Sequence, residues 1–542
     1  MSETRWTEIL DADVLPAGGR RVVKTDCGKQ IALFRLEDGR LRACNNRCPH
    51  EGYPLAEGSL SGGGSADAPC LLTCNWHNWK FDLASGETLV GGDALRVYPV
   101  RERAGRIELD LADPPPAQVI AGALKALTDS FDRHEYDRMA REIARLEKAG
   151  GDALDALAHT IRETADRFEF GATHAVPASA DWLRLADRAA GDDAAKRLTA
   201  VLEGVGHFAW DCRMEPRFPY PDGTAPWDAD AFVQAVEDED EAAALPLLRG
   251  ALDAGLGWED LEPAFARAAL AHYADFGHSA IYSYKTRDLV AALDPDRATL
   301  EALLALLTRS LIFATREDLI PEFKAYAPAL SEWTGADRTG DGVARPDPEA
   351  LARGSVREVL ARMVAASGDP TALYDAAMQA ASEQMLHFDL AWQAGTDGSF
   401  SQNVNWLDFT HALTFGNALR KLAERTPDVW PAGLLQLGCF LGRNSGYVDW
   451  SLDAARWSVA DPAAFYDEAM AGLFDHGQFE YIVSCHLLKL STALEEERAE
   501  RPEAPWHGLA AAALNRFLNS PLKRKHALRT AKQSLAFVAA EG

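Results

Sequence analysis

Three consecutive prolines divide this sequence into two parts of different character. They lie within "DLADPPPAQ", at positions 114–116. Proline fixes φ and lacks an N–H, so such a run can neither continue a strand nor sit inside a helix. Short β-branched or alternating segments precede it, and alanine-, leucine- and arginine-rich segments with helical spacing follow it. The sequence therefore predicts a β domain over 1–112, a linker over 113–117 and an all-α domain over 118–542.

The predicted fold class is α+β, with a small antiparallel β domain followed by a large helical one. Six segments have strand character: "RRVVKT", "QIALFRL", "LRACN", "PCLLTC", "LRVYPV" and "RIELDL". Fourteen to seventeen helices are expected after the prolines. The Pro-, Gly- and Asp-rich stretch 334–354 either divides two helical subdomains or forms one long surface loop.

The charge of the chain is negative and unevenly distributed. Of the net −27, residues 1–112 carry about −2 and the remainder about −25. An acidic bulk repels phosphate backbones, so nucleic acid is not an expected partner. No apolar run has the length of a membrane span, and the first residues lack the features of a secretion signal, so a cytoplasmic protein without a membrane partner is expected. Eight cysteines in 542 residues do not suggest a disulfide framework.

Two short Cys/His pairs carry the strongest chemical signal. Cys48-x-His50 precedes Cys74-x-x-His77, with 23 residues between the inner pair. Two thiolates and two imidazoles presented on two loops match a [2Fe–2S] centre with two cysteines on one iron and two histidines on the other. The same ligand types also suit a tetrahedral zinc ion.

The residues around both pairs resemble the Rieske [2Fe–2S] family, over roughly residues 5–110. The matching flanking positions are Pro49, Gly52, Pro54, Leu55 and Gly58 around the first pair, and Trp79, Phe81, Asp82, Gly86 and Glu87 around the second. The resemblance implies that Cys48 and Cys74 hold one iron and that His50 and His77 hold the other. It favours the iron–sulfur cluster over zinc.

Two positions indicate the subtype within that family. Respiratory members carry an extra cysteine after each ligand pair, and these cysteines form a disulfide. Tyr53 and Trp76 occupy those positions here. The chain therefore resembles the ferredoxin or oxygenase-component subtype, which delivers single electrons.

A segment of the helical part partly resembles the iron-binding motif of ring-hydroxylating oxygenases. That motif has the form N-x-x-D-x-x-H-x-x-x-x-H, and Asn405, Asp408 and His411 fall at the first three positions. Gly416 stands where the last histidine belongs. The surrounding sequence is helical, whereas that oxygenase domain is built on a sheet. We interpret the match as a coincidence.

A second metal site is a candidate within the helical domain. Three helical segments align on His278, His411 and His486, and two of these histidines have an aspartate three residues earlier, Asp275 and Asp408. Residues i and i+3 share one helix face, and carboxylate-x-x-His pairs on facing helices form iron sites in bundles. These five residues could hold a mono- or dinuclear iron centre, with His272 or His476 in reserve. Alternatively, the histidines pack in the core or cap helices.

The leading functional hypothesis is an oxidoreductase enzyme. Its cluster would pass single electrons to an iron centre in the helical domain, where a small molecule is oxidised with O₂. No dinucleotide-binding motif is present, so a separate NAD(P)H-dependent reductase or another electron donor is the expected partner. The alternative is a non-catalytic electron carrier or redox sensor whose helices form a docking scaffold.

Overall fold

Ten short strands form three antiparallel sheets in the N-terminal part of the computed structural model. The structure describes residues 6–26, 28–62, 69–188, 193–334, 345–522 and 526–541. The strands are β1 (Trp6–Asp11), β2 (Arg20–Lys24), β3 (Gln30–Arg35), β4 (Leu41–Asn45), β5 (Ser59–Gly62), β6 (Cys70–Thr73), β7 (Lys80–Asp82), β8 (Thr88–Val90), β9 (Val100–Arg103) and β10 (Arg106–Asp110). The sheet orders are β1-β10-β9, β2-β3-β4 and β5-β6-β7-β8.

The sequence predicted some of these strands and missed others. β2, β3, β4, β6 and β10 coincide with predicted segments. The predicted strand "LRVYPV" does not form over its length. Val97 makes an isolated bridge to Cys44, and β9 begins at the last residue of the segment, Val100. The other unpredicted strands are β1, β5, β7 and β8. Most of these strands have three or four residues, which is too few to show the alternation of apolar and polar residues that identifies a strand in sequence.

Twenty-one α-helices lie in the described residues after the strands. They are α1 (Pro116–Thr128), α2 (Tyr136–Lys148), α3 (Ala153–Thr164), α4 (Ala175–Arg188), α5 (Ala194–Asp211), α6 (Ala229–Glu237), α7 (Glu241–Asp253), α8 (Trp258–Leu270), α9 (His278–Leu293), α10 (Arg297–Ile312), α11 (Tyr326–Thr334), α12 (Pro348–Arg353), α13 (Val356–Ala365), α14 (Pro370–Leu386), α15 (Leu390–Ala394), α16 (Trp406–Ala423), α17 (Trp430–Asn444), α18 (Pro462–Leu473), α19 (Tyr481–Glu500), α20 (His507–Leu518) and α21 (Ala527–Ala539).

The predicted fold class is confirmed, although the helices outnumber the expected fourteen to seventeen. Several, such as α12 and α15, are too short to show helical periodicity in sequence. The candidate subdomain boundary at 334–354 includes residues 335–344, which lie outside the described residues. None of the described helices combines the length and the apolar character that a bilayer span requires.

The chain forms two units. One contains residues 1–130 and 135–152, so α1 and α2 belong with the β sheets, and the other contains residues 131–134 and 153–542. A buried carboxylate ties α2 to the β part. Asp93 has no exposed surface, and its oxygens lie 2.7 Å from Arg141 Nε and 2.8 Å from Arg145 Nη2. Burial opposes the charge of Asp93, but the two guanidinium groups hold its pKa below the ordinary value.

Some of the aspartates of this acidic chain stabilise the N-termini of described helices. An aspartate occupies the N-cap of eight helices, where its carboxylate accepts hydrogen bonds from free backbone N–H groups; these are Asp193, Asp228, Asp240, Asp296, Asp347, Asp369, Asp389 and Asp461. A negative charge at this end also interacts favourably with the helix dipole.

Four helices of the second unit form a closed bundle. α4 packs on α9, α9 on α16, α16 on α19, and α19 on α4. One carboxylate in its interior joins all four. The Glu496 carboxylate accepts hydrogen bonds from Tyr284 Oη at 2.7 Å and Asn417 Nδ2 at 2.9 Å, and it forms an ion pair with Arg184. Although burial opposes its charge, Lys285 and Arg184 lower the pKa of Glu496 to about 2.

We predict that Glu496→Gln destabilises the helical unit by about 3 kcal/mol at pH 7, because Arg184 loses its ion-pair partner and the buried Lys285 loses a neighbouring negative charge. The folded-state pKa of Glu496 is depressed, so its contribution is present above pH ~4.5 and is lost as the pH falls through about 2. Urea unfolding followed by circular dichroism at pH 7 and at pH 3 measures the effect, and the difference between the variant and the wild type should narrow at pH 3.

Glu349→Gln is the matched control. Glu349 forms an exposed i,i+4 pair with Arg353 at 3.2 Å, and such pairs contribute at most about 1 kcal/mol. Equal effects of the two substitutions would contradict the proposed role of the buried carboxylate.

Candidate functional site

Two loops of the first unit repeat the same backbone pattern. The first follows β4, and the second connects β6 and β7. In the first, Cys48 N donates to Tyr53 O at 2.9 Å and Gly52 N to Cys48 O at 2.8 Å. In the second, Cys74 N donates to Trp79 O at 2.8 Å and Asn78 N to Cys74 O at 2.9 Å. Gly52 and Asn78 occupy equivalent positions with φ of 79° and 61°, which glycine and asparagine tolerate best.

These loops bring the four predicted ligands together. His50 Nδ1 and His77 Nδ1 lie 3.1 Å apart, and the rings meet edge to face. Cys48 and Cys74 are buried, and burial together with the neighbouring Cys74 thiol raises the pKa of Cys48 to about 11 despite opposing backbone hydrogen bonds. A cluster with two sulfur ligands on the inner side and two imidazole ligands near the surface fits this donor set.

The aromatic residues around the loops differ in burial. The Trp79 indole stacks on the His50 imidazole, with ring centroids 4.5 Å apart and planes at 13°. Phe81 is fully buried in the core beneath the loops. Trp76 is 63% exposed and contacts Tyr53, so the apolar cover of this site comes mainly from Trp79 and Phe81.

The second unit contains a cluster of four histidines at one end of the α4, α9, α16 and α19 bundle. His278, His411 and His486 were candidates from the sequence, and His174 joins them. The Nε2 atoms of His278 and His411 lie 2.9 Å apart, those of His278 and His174 3.2 Å apart, and those of His411 and His486 3.4 Å apart. His411 and His486 are buried, while His174 and His278 are partly exposed.

Backbone contacts determine the tautomers of three of these imidazoles. The Nδ1 atoms of His278, His411 and His486 each lie 2.6 Å from a carbonyl oxygen, of Asp275, Leu407 and Ile482 respectively. A carbonyl only accepts, so each Nδ1 carries the proton and, in the neutral ring, each Nε2 presents a lone pair. Burial lowers the pKa of His278 to about 3 and those of His411 and His486 well below the ordinary value.

Neutral imidazoles with these tautomers cannot hydrogen-bond to one another through Nε2. Their spacing instead suits a shared cation. Metal–nitrogen bonds of about 2.0–2.1 Å give nitrogen–nitrogen separations of about 2.9 Å at a 90° angle and about 3.4 Å in a tetrahedron. The three Nε2 separations of 2.9–3.4 Å lie in this interval. Donation of the other ring N–H to a carbonyl is also the usual support for a metal-binding histidine.

The two aspartates proposed from the sequence have other partners. Asp408 binds Arg443 at 2.6 Å through one oxygen and accepts from Asn405 N at 2.8 Å through the other. Asn405 is the N-cap of α16, so the spacing that resembled an oxygenase motif is a capping box. The Asp275 carboxylate lies 3.9 Å from Nδ1 of His278, on the side of the ring opposite to the Nε2 cluster. Neither aspartate offers an oxygen to the four Nε2 atoms.

The remaining candidates are also placed elsewhere. His272 Nδ1 lies 3.2 Å from Glu237, and His476 Nε2 lies 3.2 Å from Glu203. Gly416 has no room for a side chain, because a Cβ there would lie 2.3 Å from the sulfur of Met378. This position of α16 therefore serves helix packing.

Sequence reasoning missed His174. It directly precedes α4, has no carboxylate three residues earlier, and its Nδ1 lies 3.3 Å from Tyr282 Oη rather than from a backbone carbonyl. Tyr282 lies on α9, so the support for this imidazole comes from another helix. The sequence around His174 carries no signal that would have identified it.

Comparison with known proteins identifies the first unit. Residues 5–98 match the family model described as the Rieske [2Fe-2S] domain. The N-terminal domain is therefore a Rieske domain, which binds a [2Fe–2S] cluster, and it is followed by a large helical region. A Rieske cluster accepts and donates single electrons, so this domain is an electron-transfer domain.

Relatives of this domain occur in several oxygenase systems. The chain is 35% identical over 126 residues to a 4β-methylsterol monooxygenase of Methylococcus capsulatus, covering 21% of this chain and 32% of that protein. It is 29% identical over 83 residues to the ferredoxin component of an alkene monooxygenase system of Xanthobacter autotrophicus, covering 15% of this chain and 63% of that protein. Less than two thirds of each of these relatives is matched. Among solved structures, a Sphingomonas yanoikuyae ferredoxin is 20% identical with a TM-score of 0.18, covering 20% of this chain and all of that one.

We predict that Gly91→Ala disturbs the cluster site through Trp79. A Cβ at Gly91 would lie 2.4 Å from the indole that stacks on His50, so the indole must move. We expect a loss of about 1–3 kcal/mol in stability and a changed visible circular dichroism spectrum and reduction potential of the cluster.

Gly105→Ala is the control for backbone strain. Gly105 also has a positive φ of 76°, but nothing lies within 4 Å of its Cβ position. This variant should lose stability while its spectrum and potential stay those of the wild type. An unchanged potential in Gly91→Ala would exclude the contact as a determinant of the site.

Proposed function

We propose that this protein is a Rieske-dependent oxidoreductase with a second metal centre in its helical region. The second centre would hold iron and carry out the O₂-dependent oxidation of a small molecule. Single electrons would reach it from the [2Fe–2S] cluster, which a separate NAD(P)H-dependent reductase or another donor reduces. The relatives named as monooxygenase components support this general role.

The cluster ligands in this proposal are Cys48, His50, Cys74 and His77. Their support is the matched backbone geometry of the two loops and the convergence of the two imidazole Nδ1 atoms at 3.1 Å. The absence of cysteine at Tyr53 and Trp76 supports the ferredoxin or oxygenase-component subtype.

The second centre rests on one observation, the close approach of four imidazole Nε2 atoms, three of which present a lone pair. The residues that would hold the metal are His174, His278, His411 and His486. Imidazole suits zinc, copper, nickel and iron alike. A redox-active metal such as iron is favoured over zinc, because zinc cannot accept the single electrons that a Rieske cluster supplies. His174 and His278 are partly exposed, and we propose that a small molecule approaches the centre from their side.

Iron analysis of the purified protein tests this function. We expect about three irons per chain in the wild type, two in the cluster and one at the histidines. His411→Ala should lower the content to about two and leave the visible spectrum of the cluster unchanged. Cys74→Ser should remove the visible spectrum and leave about one iron.

His272→Ala is the matched control, because this histidine is paired with Glu237 outside the cluster. It should retain about three irons. A wild-type protein with only two irons, both lost in Cys74→Ser, would contradict the second centre. The chain would then be better described as an electron carrier or redox sensor.

A further inference from the structure

The four helices around the histidine cluster begin at the same end of the bundle. His174 precedes α4, His278 is the first residue of α9, and His411 and His486 lie in the second turns of α16 and α19. The Glu496 layer contains one later residue from each of these helices, namely Arg184, Tyr284, Asn417 and Glu496. The helices therefore run in the same direction, and their positive N-terminal ends surround the site.

One buried amine lies between these two layers without a hydrogen-bonding partner. Lys489 is 2% exposed, and its Nζ has no acceptor among the described residues. It lies three residues after His486 on α19, so both side chains share one face of that helix. Burial lowers the pKa of Lys489, so a ligand at this site would meet its N–H donors rather than a permanent charge.

Two buried carboxylates of the bundle lie beside cations other than Lys489. Asp181 lies 2.8 Å from Nζ of Lys285, and Glu497 lies 2.8 Å from Nε of Arg420.

Cys485 does not accept a hydrogen bond from Lys489 either: its Sγ donates to the carbonyl oxygen of Ile482 at 3.4 Å. The described residues thus leave the N–H donors of Lys489 without an acceptor. A buried donor without an acceptor is costly, and a bound ligand, ion or water would remove that cost.

We propose that Lys489 and the four-histidine centre together bind a small anion of a few heavy atoms. This inference rests on the proposed metal at the centre. Four neutral imidazoles do not offset the charge of a divalent metal, the helix ends add to it, and Lys489 offers N–H donors without an acceptor. An anion that bonds to the metal and accepts a hydrogen bond from Lys489 Nζ satisfies both needs, and it gives the site a preference for anionic over neutral ligands.

Azide is the probe for this site. Azide binding to the iron-loaded full-length protein is measured by isothermal titration calorimetry, and the metal content of each sample is measured in parallel. We expect Lys489→Met to weaken azide binding by at least about thirtyfold with the iron content unchanged. Lys489→Arg should retain part of the affinity, and Lys196→Met, which removes a partly exposed lysine, should bind azide like the wild type.

The melting temperature in the absence of azide gives a second readout. Lys489→Met removes an unpaired buried amine and keeps a side chain of similar length, so its Tm should equal or exceed that of the wild type.

Wild-type azide affinity in an iron-replete Lys489→Met protein would overturn the inference and leave the proposed function intact. A Tm lower by more than about 3 °C, or loss of the third iron from both Lys489 variants, would overturn it too, because Lys489 would then be structural. Absence of a third iron from the wild type would overturn both proposals.

Discussion

The histidine cluster depends on three hydrogen bonds from imidazole Nδ1–H groups to main-chain carbonyls. His278, His411 and His486 each donate to the preceding turn of their own segment at 2.6 Å. The bond determines both the tautomer and the ring orientation, so the Nε2 lone pairs must face inward. Lone pairs 2.9–3.4 Å apart in a buried site repel one another unless positive charge lies between them. The packing of α4, α9, α16 and α19 and the Glu496 contacts within them hold the imidazoles in these positions.

The two candidate centres are assembled in different ways. The Rieske loops are short, and each contains its own cysteine, histidine and backbone hydrogen bonds, so a local segment specifies the geometry of each pair. The helical centre takes one histidine each from α9, α16 and α19 and a fourth, His174, from the residue before α4. His174 and His486 are 312 positions apart in the sequence. No local segment can specify such a site, and only the closure of the bundle brings its members together.

Charge in the bundle changes with depth. Near the helix starts, burial keeps the imidazoles neutral, and the surrounding helix ends are positive. One layer further in, the Glu496 carboxylate joins all four helices through Arg184, Tyr284 and Asn417. Lys489 lies between the two layers, and its Nζ lacks an acceptor within the described part of the chain. The bundle therefore holds the Glu496 carboxylate among partners from all four helices and leaves the Lys489 amine without an acceptor.

The sequence by itself determined the fold class, the position of the change from strands to helices and the two Cys/His pairs, because each of these features is encoded within a few neighbouring residues. It also identified three of the four clustered histidines through their helical context. It suggested the wrong companions for them: Asp408 belongs to the capping box of α16, and Asp275 lies on the Nδ1 side of His278. Only the tertiary structure revealed His174 and Lys489 as neighbours of the site. The reason is physical, since their roles arise from contacts and from missing partners across helices, and neither leaves a pattern in the local sequence.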